Sequence, residues 1–269
     1  MKKLLFLCLV LFCTSCAVFA RDSIEVSRLE DGILVLKIDV NEFNGKIKPL
    51  AVDELTTAKE IFESGNYELV LNGGFFDMQT GGEISYVTID GEEVQSPWRN
   101  SRLMRALEIS GRTDGVLNRS ELRIIENKKG KTEFKFIEHS APLEKNEKLI
   151  HALQAGPALL PEMDLVKESF IQYGAGSVIT LEAASATKRR ARTVLALKND
   201  KGRELYIVVF TTTNKATFKE ARDFLKKHGF KHALALDGGG STSLYHDDIK
   251  VISEGESGRK VKSFLVIEK

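Results

Sequence analysis

The sequence predicts an α+β fold: one domain with a large mixed, mostly antiparallel sheet system and a few packed helices. Three observations lead there. Apolar runs of strand length far outnumber amphipathic stretches of helical length. Asp31-Gly32 and Asp90-Gly91 sit between such runs, as hairpin turns do. No linker rich in Pro, Gly or Ser divides the 269 residues, and 42% hydrophobic with 29% charged is ordinary globular composition.

Ser23 to Val40 reads as two strands around Asp31-Gly32, and Asn41 to Lys48 as a polar connector. Val52 to Ser64 reads as a helix with Asp53 as N-cap and Leu55, Ala58, Ile61 and Phe62 on one face. Gly65 closes it, and the strand Tyr67–Leu71 follows. Gly81 to Val94 reads as a hairpin turning at Asp90-Gly91. Ser96 to Arg105 reads as a loop bearing Trp98, Arg99, Arg102 and Arg105, a sugar platform or else a rim of solvated charges. Ala106–Ser110, Leu122–Glu126 and Phe134–Ile137 read as strands, and the run from Leu149 enters a corner at Gly156-Pro157. Ser169–Thr180 reads as a loop. The basic run Lys188–Arg192 feeds the strand Thr193–Leu197, and the strand Glu204–Phe210 ends in the polar loop Thr211–Asn214. Thr217 and Glu220 form a capping box for a helix from Phe218 to His228, and a strand leads to Leu236. That strand–helix–strand unit places Thr211–Thr213 and Asp237 on one sheet edge, the usual ligand edge of an open α/β sheet. Strands near Ser243–His246, Ile249–Ile252 and Val261–Ile267 close the chain.

One pattern occurs twice: helix, Gly, strand, then Asn72-Gly73-Gly74 in the first copy and Asp237-Gly238-Gly239-Gly240 in the second. Glycines let a backbone approach a ligand closely, and successive N–H groups can form an anion nest. We therefore expect the two loops to meet and form one site. Candidate catalytic residues are Asp237, Arg192 and Asn72. Gly73, Gly74, Asp77, Gln154, Gly156, Gly238, Gly239, Gly240, Ser241 and Thr242 are candidate substrate contacts, and Asp77 and Glu182 are reserve carboxylates.

Several chemistries are excluded. All three cysteines, Cys8, Cys13 and Cys16, lie in the first 20 residues, so the rest of the chain has no thiol nucleophile, Cys-based zinc site or disulfide. There is no His-Glu-x-x-His, no P-loop Lys after the glycines, and no Gly-x-Ser-x-Gly elbow around Ser241. The sequence requires no cofactor, though Asp77 and Asp237 could share a Ca or Mg ion through oxygen ligands.

Residues 1–20 read as a signal peptide: Lys2 and Lys3, an apolar core from Leu4 to Phe12, and small residues before Ala20. Residues 21–269 form the domain. Cys13-Thr14-Ser15-Cys16 resembles a lipobox, with Cys where Leu is usual, so membrane attachment is expected through a lipid on Cys16 or not at all. Of 39 basic and 38 acidic residues, Lys2 and Lys3 leave with the leader, so the domain is near neutral. Nothing marks a nucleic-acid binder. We expect an exported protein of the periplasm or cell surface.

Asn72-Gly-Gly-Phe-Phe, Gln154-x-Gly-Pro-x-Leu, Arg192-Thr before a strand, and Ala235-Leu-Asp-Gly-Gly-Gly-Ser-Thr-Ser resemble, in order, the motifs of the phosphodiester glycosidase family. The likeness runs from about Leu69 to the C-terminus. It departs at Thr193–Leu197, where members often carry a Gly soon after Arg-Thr. The resemblance implies a hydrolase of sugar-1-phosphodiesters acting on a carbohydrate phosphodiester in the cell envelope. A sugar phosphate is a weakly basic leaving group, so one carboxylate, Asp237, suffices as nucleophile or base, with Arg192 and the glycine nests on the phosphate and Asn72 and Gln154 on the sugar. The competing reading is a non-catalytic module that binds envelope polysaccharide with the same loops.

Overall fold

The structure is a computed structural model and describes residues 24–247 and 249–269. The expected leader and its Cys16 lie outside the described residues. The strands are β1 (Ile24–Glu30), β2 (Ile33–Asp39), β3 (Ile47–Thr56), β4 (Tyr67–Asn72), β5 (Val87–Ile89), β6 (Glu92–Gln95), β7 (Ser120–Glu126), β8 (Thr132–Glu138) and β9 (Lys148–Gln154). They continue with β10 (Ala158–Leu160), β11 (Ile171–Tyr173), β12 (Ile179–Glu182), β13 (Arg192–Leu197), β14 (Glu204–Phe210), β15 (His232–Ala235), β16 (Ser243–His246), β17 (Ile249–Ile252) and β18 (Val261–Glu268). The helices are α1 (Ala58–Glu63), α2 (Ser101–Ser110), α3 (Thr113–Leu117) and α4 (Phe218–Lys227).

The strands build a six-stranded sheet in the order β1-β2-β14-β13-β15-β10, two five-stranded sheets, β17-β16-β4-β18-β3 and β6-β5-β9-β7-β8, and the hairpin β11-β12. Side-chain alternation sets the layers. On β13, Leu195 and Leu197 face the central core shared by the three large sheets, while Val194 and Ala196 face the opposite side. There α4 packs through Phe218, Ala221 and Leu225. On β4, Leu69 and Leu71 face the central core and Val70 faces α1. Strands buried on both faces read as continuous apolar runs, which is why they are conspicuous in the sequence.

The α+β class holds, with every strand ladder among the described residues antiparallel. The unit β14–α4–β15 is accordingly split: β14 and β15 run parallel, but β13 lies between them and pairs antiparallel with both. Their C-terminal ends still share an edge with the start of β13. Continuing the register Val194↔Ala235 past the strand end sets Arg192 opposite Asp237.

Several elements differ from the sequence reading, among them α3, which it did not anticipate. The first helix begins at Ala58, capped by Thr57 in a capping box with Glu60, and not by Asp53, because β3 runs on to Thr56 against β18. The loop Ser96–Arg105 and the strand Ala106–Ser110 are instead a 3-10 turn followed by one continuous helix, α2. The Asn100 side chain accepts from Leu103 N at its start, and Gly111 closes it in the left-handed region. The loop Ser169–Thr180 contains β11 and the start of β12.

Candidate active site

The two Asn/Asp-Gly-Gly loops meet. Asn72 Nδ2 donates to Asp237 O at 2.7 Å, and Asp237 N donates to Gly73 O at 3.1 Å. Asn72 Oδ1 accepts from Thr193 Oγ1 at 2.8 Å and Ser243 N at 3.1 Å. Asn72 is wholly buried, so its amide is a knot tying three strand ends together.

Above this joint lies a cleft of about 810 Å³. Asp237 and Gly238–Gly240 line it, together with Ala183–Ser185, Arg190, Thr212 and Lys215. Arg112, Arg119, Leu103 and Leu107 of α2 and Val116 of α3 line it too. Ser253, Glu254 and Arg259 border it as well. Five cationic side chains line this space against three carboxylates, Glu182, Asp237 and Glu254, so its field favours an anion.

Asp237 is the perturbed acid. Burial pushes its carboxyl up to about 6, against the pull of the Ser241 hydroxyl, the Gly238 N–H, Arg259 and Arg192. Gly238 N donates to Asp237 Oδ1 at 2.8 Å. Ser241 Oγ lies close to the carboxylate without a hydrogen bond of full geometry, and Thr242 Oγ1 is likewise buried without a partner among the described residues.

Arg192 does not reach into the cleft. Its Nε donates to Ala216 O at 3.0 Å, Nη1 to Ala184 O at 3.0 Å, and Nη2 to Ser185 O at 2.6 Å and Lys188 O at 2.8 Å. Its guanidinium carbon stands 4.1 Å from the Phe218 ring centre. Burial lowers it to about 10, still charged at neutral pH. Arg192 is thus a clamp that shapes the Ala184–Lys188 wall, with its charge near Asp237.

Other predicted contacts are scaffold by position. Gln154 is fully buried, accepting from Tyr86 N and donating to Leu117 O and Arg119 O. The Gly73 and Gly74 N–H groups are used by Ser263 O and Ser263 Oγ, so they form no open nest. A Cβ on Gly74 would stand 2.3 Å from Gln154 O, so this glycine serves close packing. Gly156 has φ +93°, and a Cβ there would stand 2.5 Å from Glu168 Oε2. In the second loop, Gly239 N donates to Ala191 O, Ser241 N to Gly238 O and Thr242 N to Gly239 O. Among the described residues only Gly240 N remains free in that loop. Over Gly240 lies the Glu254–Arg259 ion pair.

Asp77 organises its own turn and pairs with Arg102 at 3.1 Å instead of lining the cleft. Burial opposes its charge, but the Gln79 N–H, Thr80 and Arg102 hold its carboxyl below the ordinary value. A cation shared by Asp77 and Asp237 therefore does not fit. Among the described residues no cluster of three or more His, Cys, Asp or Glu side chains has metal-binding geometry. Glu182 does line the cleft, its carboxyl lowered by the Thr187 N–H and hydroxyl. Trp98 is 61% exposed and outside the lining, and Arg99 donates to Val94 O.

The sequence reading missed Arg119 and Arg112. Arg119 leads into β7, 5% exposed, its Nε donating to Glu168 O at 3.0 Å and its guanidinium carbon 4.0 Å from the Phe170 ring centre. Burial lowers it to about 9, opposed by the charges of Glu168 and Asp237. The Glu168 carboxylate, itself raised by burial, accepts from Ser120 N and Ala158 N and anchors this wall. Arg112 Nη2 donates to Ser169 O at 2.6 Å, while Arg112 Nε is buried without a partner among the described residues. Neither carries a sequence signal that sets it apart: Arg119 directly precedes β7, whereas Arg192 is the first residue of β13 and ends a basic run.

A half-buried acid at a loop joint, in a cleft also lined by fixed guanidinium groups, has the make-up of an enzyme site whose field favours an anion. The phosphodiester glycosidase family model matches residues 65–268. The catalytic domain of zebrafish N-acetylglucosamine-1-phosphodiester alpha-N-acetylglucosaminidase, auto-inhibited by its pro-peptide, is similar at TM-score 0.60 and 16% identity, over 91% of this chain and 81% of that one. A hypothetical protein from Synechocystis is similar at TM-score 0.58 and 13% identity, over 91% of this chain and 61% of that one. A Burkholderia pseudomallei protein described as exported is similar at TM-score 0.50 and 13% identity, over 87% and 73%. At these identities the structural likenesses establish the fold. The comparison with curated proteins found no match. The chain belongs to the phosphodiester glycosidase family and is a hydrolase of that class. Among the described residues no helix is long and apolar enough to cross a membrane.

Proposed function

We propose that this enzyme hydrolyses sugar-1-phosphodiesters of the cell envelope, with Asp237 acting at the anomeric carbon and the phosphate departing as a monoester. The observation that carries this reading is one carboxyl, raised to about 6, in a cleft lined by Arg112, Arg119 and Arg259. Above pH 6 Asp237 is mostly ionised, so it takes a proton from water or attacks the sugar carbon itself. The bond from C1 to the bridging oxygen breaks, its electron pair goes to the phosphate, and the sugar ends with a hydroxyl from water. The leaving phosphate gains negative charge and needs little protonation. Fixed guanidinium groups stabilise that charge best, and removing one such donor typically costs about 10²–10³ in rate. Arg192 and Asn72 enter as positioning residues, through the Ala184–Lys188 wall and the Asp237 backbone.

The test is to incubate the enzyme with a panel of sugar-1-phosphodiesters, α-GlcNAc among them, and follow products by NMR beside Asp237→Asn. Free sugar plus phosphomonoester, lost in the variant, is expected. Near-full turnover by Asp237→Asn would overturn the assignment.

A further inference from the structure

The wall clamped by Arg192 contains a turn whose residues do not suit its conformation. Ala186 N donates to Ala183 O at 3.1 Å and closes it. Its two central residues, Ala184 and Ser185, have φ of +52° and +49°. Positive φ at both centres is the type I′ pattern, which Gly, Asn and Asp normally fill because a Cβ is disfavoured there. Such backbone persists only where surrounding contacts enforce it, and it clusters at functional sites. The enforcing group is Arg192, 1% exposed, whose Nη1 donates to Ala184 O at 3.0 Å and Nη2 to Ser185 O at 2.6 Å.

A trans peptide sets its N–H opposite its C=O. Ala184 O is turned onto the buried Arg192, so the N–H of the same peptide, on Ser185, points away from that arginine. Ala184 and Ser185 line the cleft and Arg192 does not. Both residues are half-buried, and among the described residues neither Ala184 N nor Ser185 N has a hydrogen-bond acceptor. The turn also adjoins the acid: a Cβ built on Gly238, next to Asp237, would stand 3.6 Å from the same Arg192 Nη1. Arg190, another lining residue, approaches Ser185 Oγ through its Nε at 3.4 Å and adds positive charge.

We infer that the Ser185 N–H, with the Ala184 N–H beside it, is the backbone donor for the substrate's phosphate, and that Arg192 acts by holding this peptide in place from behind. This rests on the function proposed above and specifies how the site takes the anion. The phosphate gains charge as the bond from C1 to the bridging oxygen breaks, and a donor already fixed in direction stabilises that charge without reorganising.

Two measurements test it. In the first, the α-hydroxy acid analogue of alanine replaces Ser185, which puts an ester oxygen in place of the N–H. Its control is Ser185→Ala, which keeps the N–H and loses only the hydroxyl. On a sugar-1-phosphodiester the ester form should lose about 10²-fold in kcat/KM, with Ser185→Ala close to wild type. In the second, inorganic phosphate is titrated into the unmodified enzyme and the amide protons are followed by heteronuclear NMR. The Ser185 amide proton should move downfield and saturate. Equal kcat/KM for the ester form and Ser185→Ala, or a Ser185 amide proton unmoved by phosphate, would overturn the inference and leave the enzyme's function standing. No turnover of any sugar-1-phosphodiester by the wild type would overturn the proposed function, and the phosphate titration would then decide the inference alone.

Discussion

Replacing Asp237 with Asn should make the protein more stable while removing its activity. The carboxyl sits in an environment that disfavours its charge, raised from 3.8 to about 6 by burial. A group whose folded pKa lies above its unfolded value binds more protons in the native state, so ionising it costs stability. The penalty is absent below pH 3.8, grows between pH 3.8 and 6, and is complete above. The rise corresponds to about 3 kcal/mol, an upper value because one side of the carboxyl faces the cleft and solvent screens it. Asn keeps an oxygen to accept from Gly238 N, so the neutral replacement recovers most of that amount at little local cost. Urea denaturation of both forms at pH 7.5 and pH 4 reads it directly. The variant should gain about 2–3 kcal/mol at pH 7.5 and almost nothing at pH 4. An equal gain at both pH values, or a loss at pH 7.5, would refute the claim that the acid is held in a strained state.

Further outcomes follow from the same geometry. The pH dependence of kcat/KM should rise through about pH 6 and level off above it, because only ionised Asp237 is competent; a rate that falls across that range would contradict its role as base or nucleophile. Asn72→Ala strands Asp237 O, Thr193 Oγ1 and Ser243 N in a buried joint, at about 1–3 kcal/mol each, so thermal unfolding should show a Tm at least about 10 °C lower. Gly240→Ala puts a methyl 1.7 Å from Glu254 Oε2, the end of a flexible side chain, so denaturation should show a change under about 1 kcal/mol while the displaced Glu254–Arg259 pair lowers kcat/KM about tenfold.

Much of the fold was legible because the strands are local signals. The runs at β2, β13 and β14 are buried on both faces, and Asp31-Gly32 and Asp90-Gly91 mark the hairpins they turn. Thr217 with Glu220 marked α4, and the same pattern in Thr57 and Glu60 marks the true start of α1, hidden by the helical spacing of Leu55 with Ala58, Ile61 and Phe62. Helix α2 was illegible because Ala106–Ser110, taken alone, has strand length, and its cap at Asn100 lies in what reads as a polar loop. For the site, the repeated Gly-Gly pattern located the joint correctly. It could not tell a side chain facing a ligand from one saturated by backbone. Asn72, Gln154 and Arg192 are all of the second kind, and only long-range contacts, such as Arg192 Nη2 to Ser185 O, make that visible. Arg119 and Glu168, 49 positions apart, meet through folding alone and carry no spacing that a sequence could display.

The central claim is that the bond broken joins the sugar carbon to oxygen, under the action of Asp237. Hydrolysis in heavy-oxygen water, with products read by mass spectrometry, tests it most directly. The account predicts the label on the free sugar, none on the phosphomonoester, and neither product with Asp237→Asn. Label on the phosphate would place the attack at phosphorus and contradict it.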